Sequence, residues 1–288
     1  MRKVILNWAT GPHIAFTDIT APLTEAYAAR HGFDVIRNTG TPESTPVADR
    51  QRLFARPALR AAAAVMNRQP VVARWLSRAL RRPVERTPID RSVDWLVGCI
   101  AATAGPDEPP AWEKLRKLHD VLPNYDIVVW LDADAVIVDH ERDISGELDP
   151  DEWLGLVEHR FAGRAPDHFN SGVMVFRSCP ESRAFLRQAL SLRGLRFHRW
   201  WDQAAILYLL GFAMRRVQHE RETAAYRALT HLPLAWNSIP GATADRPRIK
   251  HYAGINNAER LESLRADVRR FMDGETPLPT TANVQTTM

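Results

Sequence analysis

Two aspartates separated by one small residue, Asp132-Ala133-Asp134, interrupt an otherwise apolar run. Ile127, Val128, Val129, Trp130 and Leu131 lead into them, and Ala135 to Val138 follow. β-branched residues dominate both sides, so the run reads as a buried strand rather than a helix. Bare carboxylates are costly to bury. They become tolerable at a strand end that opens into a cleft and faces a divalent cation. Side chains two apart on a strand share a face. Both could therefore reach one Mg²⁺ or Mn²⁺, hard cations that take oxygen ligands and are completed by substrate phosphates. The bland alternative is a strand-end pair that caps a turn or binds a nearby arginine.

Three further groups could join them. His251 precedes the small-residue turn Ala253-Gly254; it is either structural or a third ligand, and an imidazole favours Mn²⁺ over Mg²⁺. Asn170-Ser171-Gly172 offers donors and acceptors at the mouth of a strand, with a glycine that permits close approach, although turns use the same residues. In Trp200-Trp201-Asp202-Gln203, Asp202 could simply cap a helix, but two adjacent indoles are good platforms for sugar rings.

The elements that position these groups follow from pattern. Val4 to Leu6 reads as a first buried strand, a helix runs from about Pro22 to His31 with Gly32 past its end, and Phe33 to Arg37 is a second strand. Strand, helix, strand indicates a parallel α/β unit. Asn7, Trp8, Ala9, Thr10 and Gly11 then fall at the carboxyl end of the first strand, where open α/β sheets bind ligands. Trp112 to Leu122 is a helix. Residues 153–157 and Val173 to Phe176 are strands. Helices run from Pro180 to Leu192, from Asp202 to before Gly211, and from Ala258 to Met272.

The chain has 288 residues, 45% hydrophobic and 25% charged, with a formal net charge of +4. That is ordinary for a globular protein with a sizeable core. Two isolated cysteines, Cys99 and Cys179, build neither a disulfide framework nor a cysteine zinc site, so reduced, cytoplasmic chemistry is expected. No run approaches the roughly 18 apolar residues that span a bilayer, and Met1 to Trp8 lacks a signal peptide's apolar core. Residues 46–91 carry eleven arginines against three acidic residues. They read as basic amphipathic helices: a solvated face, or a contact with an anionic acceptor or the inner face of a membrane. No nucleic-acid reader motif accompanies them, so nucleic acid is not an expected partner. The domain plan is one catalytic domain over 1–272, with a basic helical insertion at 46–94 and a disordered tail at 273–288.

Taken in order, Trp112-x-Lys114, Trp130-Leu131-Asp132-Ala133-Asp134, Asn170-Ser171-Gly172-Val173, Asp202-Gln203 and His251-Tyr252-Ala253-Gly254 resemble the GT-A fold retaining glycosyltransferases. Family 34, the galactosyl/mannosyltransferase group, is the nearest look, and the glycogenin-like family 8 is a close relation. The resemblance covers roughly 1–40 and 110–256. It implies a Rossmann-like nucleotide-diphospho-sugar transferase fold with a mixed, mostly parallel central sheet. It implies a nucleotide-sugar donor, UDP-hexose before GDP-mannose, held by a cation on Asp132, Asp134 and His251. Asn7 to Gly11 would line the nucleobase pocket, Asn170 and Ser171 would sit near the donor sugar, and Asp202 and Gln203 beside the anomeric carbon. His198, Trp200, Trp201 and Trp236 are candidates to line the site of a glycan or small-molecule acceptor. Family 8 follows its histidine with Gly-x-x-Lys-Pro-Trp, whereas Gly254 here is followed by Ile255-Asn256-Asn257-Ala258. Lys250 or an arginine is then expected to hold the leaving diphosphate. A nucleotidyltransferase is disfavoured, because Asn7 to Pro12 is not a Gly-rich basic loop. A third reading is an inactive sugar- or membrane-binding domain of the same fold.

Overall fold

The computed structural model describes residues 1–9, 11–38, 110–161, 167–192, 195, 198, 200–214 and 217–274. The expected insertion at 46–94, Thr10 and nearly all of the 273–288 tail lie outside the described residues.

Ten strands are present among the described residues: β1 (Lys3–Asn7), β2 (Phe33–Arg37), β3 (Ile127–Leu131), β4 (Ala135–Ile137), β5 (Leu154–His159), β6 (His168–Arg177), β7 (Phe212–Ala213), β8 (Gln218–His219), β9 (Leu229–His231) and β10 (Ile249–His251). The helices are α1 (Ile14–His31), α2 (Pro110–Val121), α3 (Pro180–Ser191), α4 (Trp201–Leu209), α5 (Ala224–Arg227) and α6 (Asn257–Met272). Six strands form the central sheet in the order β2-β1-β3-β6-β5-β9. β1 runs parallel to β2 and β3, β5 runs parallel to β9, and β6 is antiparallel to both its neighbours. The sheet is thus mixed and mostly parallel, as expected, with β6 as its one reversed strand.

Both faces of this sheet are covered, which is why β3 is apolar at every position rather than at alternate ones. Val128 and Trp130 join the core beneath α2, α3 and α4, with Trp112, Leu115, Leu118, Phe185 and Ile206. Ile127, Val129 and Leu131 face the opposite core with Tyr27, Trp236 and Ile249. On that side lie α1 and the two-stranded ribbon of β4 and β10. Phe16, Leu23, Val136, Tyr252 and Leu264 tie α1, the ribbon and α6 together.

Three boundaries differ from the sequence reading. Helix α1 begins at Ile14 rather than near Pro22, which lies inside it. Proline costs an interior amide donor, but burial of Phe16, Thr17 and Thr20 keeps the earlier turns folded. Gly32 follows the helix at φ 70°, the left-handed value expected of it. The Asp-x-Asp run is not one strand: β3 stops at Leu131, Ala135 N–H donates to the Asp132 carbonyl at 3.0 Å, and β4 leaves to pair with β10. Asn170-Ser171-Gly172 lies within β6, not before it. There Leu156 pairs with Met174 but Val157 with Asn170, so residues 171–173 bulge away from β5. Such bulges re-aim side chains, and this one sits beside Asp132, whose N–H donates to the Gly172 carbonyl at 2.8 Å.

Candidate active site

The end of β3, the bulge of β6, the last residue of β10 and the start of α4 converge on one polar cluster. Asp132 and Asp134 reach it from the turn after β3, so the turn rather than a shared strand face brings them together. His251 Nε2 lies 3.3 Å from Asp134 Oδ1 and 3.7 Å from Asp132 Oδ2. One ligand atom from each residue lies within 4.8 Å of the others. A single divalent ion with bonds of about 2.1 Å can bridge such a set. The donor chemistry fits as well. His251 Nδ1 lies 3.0 Å from the Asn237 side-chain oxygen Oδ1 and donates to it, so Nε2 is the nitrogen that would offer its lone pair to a bound cation, in place of the proton it shares with the carboxylates when no ion is there. Asn237 is fully buried, and its Nδ2 donates to Asn170 Oδ1 at 3.1 Å. That outer partner fixes the imidazole's orientation, as metal-binding histidines require. Gly172 makes the approach possible, because a Cβ there would fall 2.0 Å from His251 Cε1.

Arg260, from α6, sits on the far side of Asp134 with Nε 3.0 Å from Oδ2. It also donates to the carbonyls of Tyr252 and Ile255 and to Asn257 Oδ1. Burial alone would raise the Asp134 pKa, yet His251 and Arg260 hold it well below the usual carboxylate range. The carboxylate is ionised and aimed at the cluster.

Across the cluster, Lys114 of α2 is buried between two carboxylates, with Nζ 2.8 Å from Asp132 Oδ1 and 3.0 Å from Asp202 Oδ2. It also donates to the Ser171 carbonyl at 3.1 Å and to Ser171 Oγ at 3.3 Å. Burial would favour the neutral amine, but Asp132 and Asp202 outweigh it and raise its pKa. Asp202 shifts upward as well, through burial and the Asp132 charge, with Lys114 and Ser171 opposing. Ser171 Oγ donates to Asp202 Oδ2 at 2.9 Å. Gln203 Oε1 accepts from Asn170 Nδ2 at 3.1 Å and from Ser171 N at 3.3 Å. Trp130 Nε1 donates to Asp132 Oδ1 at 2.7 Å. Asp132 thus faces both halves of the site, one oxygen toward Lys114 and the other toward His251.

The residues after β1 border the same region. Asn7 is buried and donates from Nδ2 to the Leu131 carbonyl at 3.0 Å. Its Oδ1 has no partner among the described residues, and neither has the buried Nε1 of Trp8. Unpaired buried polar atoms are rare in folded proteins and call for a ligand or water. Lys117 lies over the Trp8 ring at 4.0 Å.

The structure separates the four acceptor candidates. His198, Trp200 and Trp201 are half-buried beside Asp202, and the Trp200 ring stacks on His168 with centroids 4.4 Å apart. Trp236 is 1% exposed in the core beneath the sheet, so it presents no face to a ligand there. Lys250 is also withdrawn: its Nζ pairs with buried Asp267 at 2.6 Å, and the Tyr252 hydroxyl donates to the same carboxylate at 2.5 Å. Arg260 is the cation that reaches the Asp134 side instead. Sequence reasoning did not assign roles to Lys114, Asn237 or Arg260. Lys114 carries one signal, a lone cation on the apolar face of α2 flanked by Trp112, Leu115 and Leu118. Arg260 had none, because α6 reads as a plain charged helix.

No family model matches the chain, and no curated protein matches it. Several solved structures do resemble it. A glycosyltransferase involved in the glycosylation of the major capsid of PBCV-1 aligns at 14% identity over 92% of this chain and 100% of its own, with a TM-score of 0.49. The galactosyltransferase LgtC, solved in complex with donor and acceptor sugar analogues, aligns at 13% identity over 97% and 98% of the two chains, with a TM-score of 0.38. The bifunctional glycosyltransferase WbbM aligns at 14% identity over 94% of this chain, with a TM-score of 0.47; the chain spans about half of it, 51%.

Proposed function

We propose that the chain is a metal-dependent hexosyltransferase. It would move a hexose from a nucleotide sugar, UDP-hexose before GDP-mannose, to an acceptor hydroxyl on a glycan or small molecule, with retention of configuration. The observation that carries this reading is the convergence of Asp132, Asp134 and His251 at the carboxyl end of β3, opposite the buried Lys114–Asp202 pair. Asp132, Asp134 and His251 would hold Mn²⁺ or Mg²⁺. Bound there, the cation supplies Lewis-acid stabilisation of the departing nucleoside diphosphate.

The chain's own residues divide the remaining work. Asn7, with its unpartnered Oδ1, and Trp8 would receive the nucleobase, together with Ala9, Thr10 and Gly11. Arg260 would oppose negative charge on the diphosphate side. Asn170 and Ser171 would orient the donor sugar, each already fixed by Gln203. Asp202 and Gln203 would face the positive charge that develops at the anomeric carbon, and Lys114 keeps Asp202 in place. Preorganised charges of this kind stabilise a transition state without reorganising. His198, Trp200 and Trp201 would meet the acceptor.

No helix among the described residues is long and apolar enough to cross a membrane. A cytoplasmic setting, with 46–91 against an anionic membrane face, belongs to the same proposal.

Purified protein incubated with Mn²⁺ and a panel of nucleotide sugars tests the reading. At least one donor should raise the melting temperature and release nucleoside diphosphate, and Asp134→Ala should abolish both effects. The reading is lost if no donor stabilises the protein, or if Asp134→Ala leaves metal-dependent binding intact.

A further inference from the structure

A cavity of about 390 Å³ lies away from the metal cluster, lined by Glu158, Asp167, Phe212, Gln218, His219 and Tyr226. Its size falls within the roughly 300–1,000 Å³ of small-molecule sites. Successive residues of a strand point to opposite faces. His159 of β5 reaches the Asn237 carbonyl on the side of the metal cluster, at 2.6 Å, so Glu158 points to the other side.

Three rings wall the cavity. His219 stacks on Tyr226 with centroids 4.0 Å apart and planes 25° apart, and Phe212 meets His219 edge-on at 5.2 Å. Phe169 backs Phe212 and Tyr226 at 6.0 and 6.3 Å. Polar groups complete it. Asp167 spends Oδ1 on the Phe161 N–H at 3.1 Å. His219 Nε2 is buried and has no hydrogen-bond partner among the described residues. Rings with apolar faces suit the C–H face of a pyranose, whereas the Glu158 and Asp167 carboxylates suit its hydroxyls. Two carboxylates disfavour an anionic ligand. Glu158 already has Arg160 as its counter-ion, at 3.2 Å, which weakens the pull on a cationic one.

We propose that this cavity is a second carbohydrate-binding pocket, taking one neutral pyranose ring, separate from the metal-centred cleft. Helix α4 connects the two places. It opens with Trp201-Asp202-Gln203 at the cleft and runs nine residues to Leu209, with Phe212 just beyond. A helix of that length spans about 13 Å, a separation on the scale of a short glycan acceptor. That last clause rests on the hexosyltransferase reading; the pocket itself does not.

Saturation-transfer NMR on the full chain tests the pocket, with the methyl α-glycosides of glucose, galactose and mannose as probes and putrescine as the cationic control. At least one hexoside should bind without metal or nucleotide. Tyr226→Ala and Glu158→Gln should each weaken it about tenfold, the loss of one stacking or hydrogen-bonding contact. Asp134→Ala should leave it unchanged. The pocket is refuted if no hexoside binds, if putrescine alone binds, if Asp134→Ala removes hexoside binding, or if neither pocket variant weakens it. Thermal melts certify folding, and should Tyr226→Ala fail to fold, the half-buried Glu158→Gln carries the test. A failure of the hexosyltransferase reading would appear separately, as absent Mn²⁺-dependent nucleotide binding in the unaltered protein.

Discussion

Replacing Gly172 by alanine adds one methyl group and should abolish ion binding at the proposed metal site. The new Cβ would lie 2.0 Å from His251 Cε1, 2.4 Å from Nδ1 and 2.9 Å from Asn170 Oδ1. Carbon atoms rest comfortably at about 3.5–4.0 Å, so the imidazole must retreat by about 1.5 Å. It has nowhere near to go: His251 is 2% exposed, and its Nδ1 is held by fully buried Asn237. Gly172 lies in a strand and not at positive φ, so alanine brings no backbone strain and the effect is purely steric. Metal–ligand distances tolerate about 0.2 Å, far less than the required retreat. Mn²⁺ affinity should therefore fall at least ~100-fold, about 3 kcal/mol, while overpacking lowers stability by about 1–3 kcal/mol. Calorimetric titration with Mn²⁺ reads the first quantity and denaturant unfolding of the metal-free protein the second. A Gly172→Ala protein that binds Mn²⁺ as tightly as the parent would remove His251 from the ligand set.

Other perturbations probe the surroundings. Lys114→Met leaves the Asp132 and Asp202 carboxylates without the cation between them, which should destabilise by about 3–5 kcal/mol. Asp202, already shifted upward, would then take up a proton more readily, so the deficit should shrink as pH falls; a deficit independent of pH would contradict the pairing. Burial and neighbouring His168 and His251 lower the His159 pKa from 6.5 to about 4, against the bond to the Asn237 carbonyl. The folded state therefore binds fewer protons in that window, and stability falls as pH drops from 6.5 toward 4, by up to about 3 kcal/mol. His159→Gln should flatten that part of the stability–pH curve, and an unchanged slope would place the titration elsewhere. Trp236→Ala should cost about 3–5 kcal/mol of stability as a core truncation. A loss below about 1 kcal/mol would return Trp236 to the cleft surface.

Much of this was legible because the signals were local. The apolar run before Asp132 marked a strand covered on both faces, though not that β4 after Asp134 leaves for β10, and Gly32 marked the end of α1. The order of short motifs named most of the residues that meet at the cluster. What escaped depends on contacts between distant segments. Pro22 looked like a helix start because the burial that keeps Ile14 to Ala21 helical comes from β4 and α6, which lie far along the chain. The bulge at 171–173 is a mismatch between two strands and leaves no mark on either alone. Trp236 resembles any binding-site tryptophan until the sheet above it is drawn. Arg260 carries no spacing signal, yet it reaches the Asp134 side that Lys250 was expected to serve, because Lys250 is held by Asp267.

The fixed charges around the cluster do not balance. Three carboxylates, Asp132, Asp134 and Asp202, face two permanent cations, Lys114 and Arg260. The surplus is one negative charge, and an anion arriving first meets repulsion. A divalent cation held there would reverse the sign and leave one positive charge for the proposed donor's diphosphate to meet. On the proposed reading, the cation would therefore arrive before the nucleotide. Departure would run the other way: each loss of the diphosphate would restore a positive mouth ready for the next donor, for as long as the cation stays.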